Sequence, residues 1–315
     1  MKYRIVPKLG AAGLGLVLVV LTVGQAMASP FTGPNSPYYL DNLANQTIYV
    51  VQGSSVINSF AEVYATGGTE SYQEGTLAVT GVVSTTSFGT AYGTGGTAGQ
   101  YTLGGTPTGT SWPDTGNPSG TSYDVFYDGT SDGLHNYTVE YYGASTSGGY
   151  TENVLQTDLN WQNPTVLFSV QSAPGLTADY LGIAYDPTNN SLWISGWGER
   201  LIADYSLTGT LLSSFVPATN ALDALAYDRA DQTLWASYDE TNTLYQYSTA
   251  GVLLQSGVPT GLPGRAYLSG DMQETRVAVP EPATLALFGL GLAGFGLMRR
   301  HTGRRNILGT CRTPT

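Results

Sequence analysis

The chain has little of what most often carries chemistry. Among 315 residues there is one cysteine, Cys311, and there are two histidines, His135 and His301. Without a thiol ahead of Cys311, the body has neither disulfides nor a cysteine nucleophile. A lone body histidine, His135, rules out a multi-histidine metal site. A Ser-His-Asp triad would need His135, whose Gly/Asp-rich surroundings do not favour it. No P-loop of the G-x-x-x-x-G-K-[ST] type and no HExxH occurs. Charged residues make up 11%, against about 25% in a typical soluble domain.

Charge is also unevenly placed. The lysines are Lys2 and Lys8, and five arginines fall between Arg299 and Arg312. Between Ser29 and Pro280 the only bases are Arg200, Arg229, Arg265 and Arg276, against 23 − 1 = 22 acids once Glu281 is left out. That stretch carries 4 − 22 = −18. So acidic a body repels nucleic acid and anionic membranes, and neither is expected as a partner.

What is present favours strands and turns. There are 41 glycines and 22 tyrosines, with abundant Thr and Ser. Tyr and Thr suit a pleated surface, and Gly permits tight turns. The expected class is all-β.

The two ends read differently from the body. Residues 1–28 form a signal peptide: Lys2, Arg4 and Lys8, an uncharged run from Ala11 to Val23, then Ala26-Met27-Ala28. Small residues at Ala26 and Ala28 suit signal peptidase, which places the mature start at Ser29. At the other end stand Val279, Pro280, Glu281 and Pro282, with an apolar stretch over 283–298 and then Arg299 and Arg300. Pro-x-Pro resists helix and sheet, leaving the hinge extended and accessible. The arginines behind the apolar stretch stay cytoplasmic, so the body lies outside the inner membrane. This tail, 277–305, resembles the PEP-CTERM sorting signal of Gram-negative bacteria. Residues 306–315 run past the point where such tails usually stop. The resemblance implies processing by exosortase, transient anchoring, release to the surface or matrix, and an association with exopolysaccharide and biofilm. A permanent anchor is the competing expectation.

The body, 29–276, contains a repeat. LGIAYDPTNNSLWISGWGERLIADYSLTGTLLSSF from Leu181 aligns without a gap, at an offset of 42, with DALAYDRADQTLWASYDETNTLYQYSTAGVLLQSG from Asp223. Tyr185-Asp186 meets Tyr227-Asp228, Leu192-Trp193 meets Leu234-Trp235, Tyr205 meets Tyr247, and Gly209 meets Gly251. Each copy reads as four short strands, the pattern of a β-propeller blade. The order Tyr-Asp, turn, Leu-Trp resembles NHL-like six-bladed propellers over 181–257. Val125 to Asp128 echoes the first strand of a copy, and Asn153 to Val170 the last two. Thr47 to Phe60 reads as a blade's inner pair, Leu77 to Phe88 as a strand pair, and Gly89 to Gly120 as loops. Arg265 to Gly270 reads as a closing strand. At about 42 residues per blade there is room for six. A β-sandwich over 31–175 with a partial propeller behind it is the rival arrangement.

Candidate sites are few. Asp186 and Asp228 precede turns and are expected to cap them. Asp128 and Asp132, within Asp128-Gly129-Thr130-Ser131-Asp132-Gly133, are weak calcium candidates, since the segment lacks a third acid and a terminal Glu. Trp193 and Trp235 recur at the repeat period and are expected in blade packing. Trp197 and Tyr238 do not match each other, and are the candidates for stacking on a ligand ring. No catalytic set and no required cofactor emerge. The expectation is a non-catalytic binding or structural propeller. The alternatives are a secreted glycosidase or lyase, marked by buried carboxylates converging on the propeller channel, and an anchored adhesin.

Overall fold

The computed structural model describes residues 30–64, 74–87, 97–113, 124–143, 150–169, 180–196, 200–219, 222–238, 240–265 and 267–273. The signal peptide, the sorting tail with its 283–298 segment, and Trp197 lie outside the described residues.

Twenty strands form five four-stranded antiparallel sheets among the described residues. The first blade holds β1 (Tyr38–Asn42), β2 (Thr47–Gln52) and β3 (Ser55–Ala61), with β20 (Tyr267–Met272) as its inner strand. The second runs β4 (Thr76–Val79), β5 (Val83–Thr86), β6 (Thr97–Tyr101) and β7 (Pro107–Pro113). The third runs β8 (Asp124–Ser131), β9 (Asn136–Gly143), β10 (Tyr150–Thr157) and β11 (Thr165–Ser169). The fourth runs β12 (Tyr180–Asp186), β13 (Ser191–Gly196), β14 (Ile202–Ser206) and β15 (Leu211–Phe215). The fifth runs β16 (Leu222–Asp228), β17 (Thr233–Tyr238), β18 (Leu244–Ser248) and β19 (Leu253–Gly257).

The propeller is as expected, but the blades number five instead of six. The inner strands begin at Thr76, Asp124, Tyr180 and Leu222, so the second and third blades take up more chain than the 42 residues that separate the fourth from the fifth. The closing strand forms as expected, with Tyr38 opposite Met272 and Leu40 opposite Gly270. Thr47 to Phe60 makes the two outer strands of the first blade, not its inner pair. The stretch Gly89 to Gly120, expected as loops, supplies β6 and β7. The rival sandwich over 31–175 is replaced by three blades.

Each seam between blades holds its own apolar cluster. Tyr39, Ile48 and Val50 meet Leu77, Val79 and Tyr101 between the first and second blades. Ala78 and Trp112 meet Trp161 at the next seam, and Val139 and Val154 meet Ile183 and Ile194 at the third. Trp193 and Ile202 meet Leu225 and Tyr247 at the fourth. Trp235 and Leu244 meet Tyr38 and Leu40 at the fifth. Tyr38 and Tyr39 therefore face opposite seams, as successive strand residues must. Inner strands buried on both faces read as unbroken buried runs, which is the pattern of β16.

A Phe, Tyr and Gly unit recurs at three seams. Phe60 packs on Tyr101, Phe168 on Tyr205 and Phe215 on Tyr247, with ring centroids at 5.4, 5.9 and 5.5 Å. Each Phe also covers a glycine four residues after that Tyr: Gly105, Gly209 and Gly251, at φ +88, +79 and +82. Only a residue without Cβ fits there, because the space is the ring's and the backbone is left-handed.

Candidate functional site

The inner strands β4, β8, β12, β16 and β20 surround the axis. They do not pair with each other, so their facing backbone groups need side-chain partners. Asp128 on β8 serves more of them than any other single side chain here. It is fully buried. Its Oδ1 accepts the N–H of Gly129 and of Gly270, each at 2.8 Å. Its Oδ2 accepts the N–H of Ile183 at 2.9 Å and of Leu225 at 2.8 Å. One carboxyl thus joins β8, β12, β16 and β20.

Burial holds the Asp128 pKa well above the usual carboxylate range, with the N–H groups of Gly270, Ile183 and Gly129 offsetting only part of that rise. A carboxylate has about four lone-pair sites, and four donors occupy them. A proton on either oxygen would displace a donor, so the form that fits this site is the carboxylate.

Asp271 plays the same part towards the second blade. Its Oδ2 accepts the Val79 N–H at 2.8 Å, and its Oδ1 accepts the Met272 N–H at 2.9 Å and the Thr130 hydroxyl at 3.3 Å. Burial lifts its pKa to about 7. Hydroxyls complete the ring. Ser269 accepts the Leu77 N–H and Thr130 the Tyr185 N–H. Thr76 donates to the Phe126 carbonyl, Ser195 to that of Leu222 and Ser237 to that of Tyr267. The Tyr38 phenol is buried and has no hydrogen-bond partner among the described residues. Burial, with Asp128, Asp271 and Asp223 nearby, holds its pKa well above the usual range.

Carboxylates do converge on the axis, the feature expected of an enzyme, yet the oxygens of Asp128 and Asp271 are engaged by backbone and hydroxyl donors. The expected echo of Tyr185-Asp186 in Tyr127-Asp128 is out of step. Ser131 lies opposite Asn136 as Asp186 lies opposite Ser191, so Asp128 sits three residues before the turn. The signal available was a lone Asp in an otherwise uncharged strand interior, flanked by Gly129.

The other candidates fall elsewhere. Asp132 is set apart from Asp128 in the turn after β8. There its Oδ1 accepts the N–H groups of Leu134 and His135, and its Oδ2 accepts the Tyr137 phenol. The Tyr137 hydroxyl and the backbone N–H groups outweigh burial and hold its pKa below the usual value. No group of three or more His, Cys, Asp or Glu able to hold a metal ion occurs among the described residues. Asp186 and Asp228 cap their turns by accepting the N–H of Thr188 and of Ala230. Asp228 also takes the Ser36 N–H and hydroxyl, fixing the segment ahead of β1. Tyr238 is half-buried against the fourth seam and donates to Glu240 at 2.8 Å. Trp193 and Trp235 are core residues.

The fold is thus a five-bladed β-propeller, and solved structures align with it at low identity. The laminin/nidogen complex aligns at TM-score 0.44 and 12% identity, over 75% of this chain and 97% of that one. A luciferin-regenerating enzyme aligns at 0.42 and 13%, over 75% and 79%. A protein of unknown function from Bacteroides caccae aligns at 0.41 and 10%, over 72% and 73%. No curated protein matches the chain. At its C-terminus the chain carries the PEP-CTERM protein-sorting motif, matched over residues 278–300. The motif marks an exported protein, anchored at its C-terminus before exosortase processing, with a surface or extracellular destination.

Proposed function

We propose that this is a non-catalytic binding or structural propeller of the cell surface or extracellular matrix, released from its tail and engaging exopolysaccharide or another surface protein. The observation that carries the reading is the state of two axial carboxylates, Asp128 and Asp271. A glycosidase needs two carboxyl groups free to meet substrate, one as acid and one as base or nucleophile. Here Asp128 and Asp271 spend their oxygens on the backbone N–H groups of four other strands and on the Thr130 hydroxyl. Signal peptidase and exosortase are the partners during export, and Ser29 is the mature start.

The test has two arms. Purified body is incubated with the polysaccharide of the producing cells, and both retention and chain length are measured. Retention without shortening is expected, and turnover at enzyme-like rates overturns the reading. Mass spectrometry of the secreted protein is expected to show a start at Ser29 and loss of the chain beyond Pro280-Glu281-Pro282. Intact tails in the membrane favour a permanent anchor.

A further inference from the structure

The fifth seam departs from the Phe, Tyr and Gly unit of three other seams. Gly257 stands one repeat of 42 residues after Phe215. It pairs with Leu244 as Phe215 pairs with Ile202. The fifth blade therefore has no ring at this position to lay across its seam with the first. A ring is there nonetheless, and it comes from outside the blades. Phe31, in the segment ahead of β1, covers Gly257, where an added Cβ would lie 2.5 Å from its ring. It also meets Trp235 edge-on, with ring centroids 6.3 Å apart at 78°. Val51, Leu244 and Tyr267 belong to the cluster it packs against.

Residues 31–36 run on from that ring as a strap across the seam. The Thr32 and Gly33 N–H groups donate to Gln255 Oε1 on β19, at 2.7 and 3.3 Å. The Asn35 amide donates to Asp231 at 2.8 Å, and the Ser36 hydroxyl to Asp228 at 2.6 Å. On the first blade, the Gly53 N–H donates to the Pro34 carbonyl and the Gln52 amide to the Asn35 carbonyl, each at 2.8 Å. Gly33 has φ +73 and the Gly53 carbonyl where a Cβ would stand, so the approach is too close for any side chain. The strap carries no charge. Two of its partners on the fifth blade, Asp228 and Asp231, are acids, so a segment bearing carboxylates would be repelled there.

We propose that the fifth seam is a peptide-binding socket, filled here by the chain's own residues 31–36, whose ligand is an extended, uncharged segment with a leading aromatic ring. The ring takes the place of the phenylalanine that the fifth blade lacks. The donors and carbonyls behind it clasp the fifth blade to the first. The same segment of a second copy presents the same ring and the same donors, so it is the partner this socket fits in trans. In cis the strap is joined through Pro37 alone to β1. Its effective concentration is therefore high, and it keeps the socket filled. A segment in trans enters when the ring of that strap is away.

The test is hydrogen exchange on the full chain and on two full-length variants. Phe31→Ala empties the socket. Residues 31–36 and β19 are expected to lose protection about tenfold or more, because a deleted ring leaves unfilled space. β12 to β15 are expected to hold theirs. A synthetic peptide of residues 30–37 at millimolar concentration, the segment a second copy would offer, should then restore protection to β19. The same peptide with Ala in place of Phe31 should not. Gly257→Phe supplies the missing ring from β19 itself, at a position whose backbone is not left-handed. That ring displaces Phe31, so residues 31–36 should lose protection while β19 keeps its own. Unchanged protection in Phe31→Ala, equal action of the two peptides, or a strap still protected in Gly257→Phe each overturns the proposal. Gly257→Phe leaves no space empty, so it gives the readout even where Phe31→Ala does not fold.

Discussion

The carboxylate of Asp128 on β8 accepts the N–H of Leu225 on β16 at 2.8 Å, bridging 97 residues of sequence and passing over the fourth blade. This contact and its three companions make one side chain a hub for four inner strands. Asp128→Ala leaves four buried N–H donors without partners, each costing about 1–3 kcal/mol. The sum rivals the whole stability of a typical domain, about 5–15 kcal/mol. The expected outcome is loss of cooperative unfolding, read by circular dichroism. Asp128→Asn should be nearly as damaging, because its amide turns a donor towards donors. An Asn variant that unfolds like the wild type would show that the site holds a protonated carboxyl.

Gly251 makes a narrower case. A Cβ there would enter the Phe215 side chain, and its φ of +82 disfavours any other residue. Gly251→Ala is expected to destabilise by about 1–3 kcal/mol through strain and overlap. A methyl group at Gly81 would meet nothing within 4 Å, and the backbone there is not left-handed. Gly81→Ala is therefore expected to be close to neutral. Urea midpoints of the two variants check the contrast.

Stability should fall as pH rises through neutrality. Asp41 and Asp271 both have folded-state pKa values raised by burial to about 7. A raised carboxyl binds protons more tightly folded than unfolded. Its contribution is fully present below the unfolded value of about 4 and is lost progressively up to about 7. Asp132 runs the other way: its lowered pKa means stability is lost as pH drops below about 4. Thermal midpoints should therefore peak in mild acid, between about pH 4 and 6, and be lower at pH 8.5. A midpoint that rises from pH 5 to 8.5 would contradict this sign.

The closing strand sets where the tail stops mattering to the fold. β20 ends at Met272, and the Gln273 N–H still bonds the Pro37 carbonyl at 2.9 Å. A chain ending at Arg276 keeps all twenty strands and should melt with the full chain. A chain ending at Pro263 loses the inner strand of the first blade, the Gly270 N–H to Asp128 and the Asp271 carboxylate. It should fail to give a cooperative transition in calorimetry.

Part of the fold is legible residue by residue. The copies at 181–257 carry Tyr, Asp, Leu-Trp and Gly at fixed spacing, and each forms a blade. The second blade is hidden because β7, Pro-Thr-Gly-Thr-Ser-Trp-Pro, has the composition of a loop. Its clue is the Tyr101 to Gly105 spacing, the same as Tyr205 to Gly209 and Tyr247 to Gly251. At the axis, Tyr127-Asp128 imitates Tyr185-Asp186, and only the hairpin register separates them. The burial of Asp41 and Glu62 has no sequence signal, since acids look like solvated charges in so acidic a chain.

The sequence by itself determined the all-β class, the blade repeat and the sorting motif. These depend on local spacing and composition, which a linear chain displays openly. Tertiary structure decided the number of blades, the strand that closes the ring and the fate of the acids. Those follow from which strands meet around an axis. Burial and backbone donors at that axis turn Asp128 from a turn-like residue into the hub that holds four strands together.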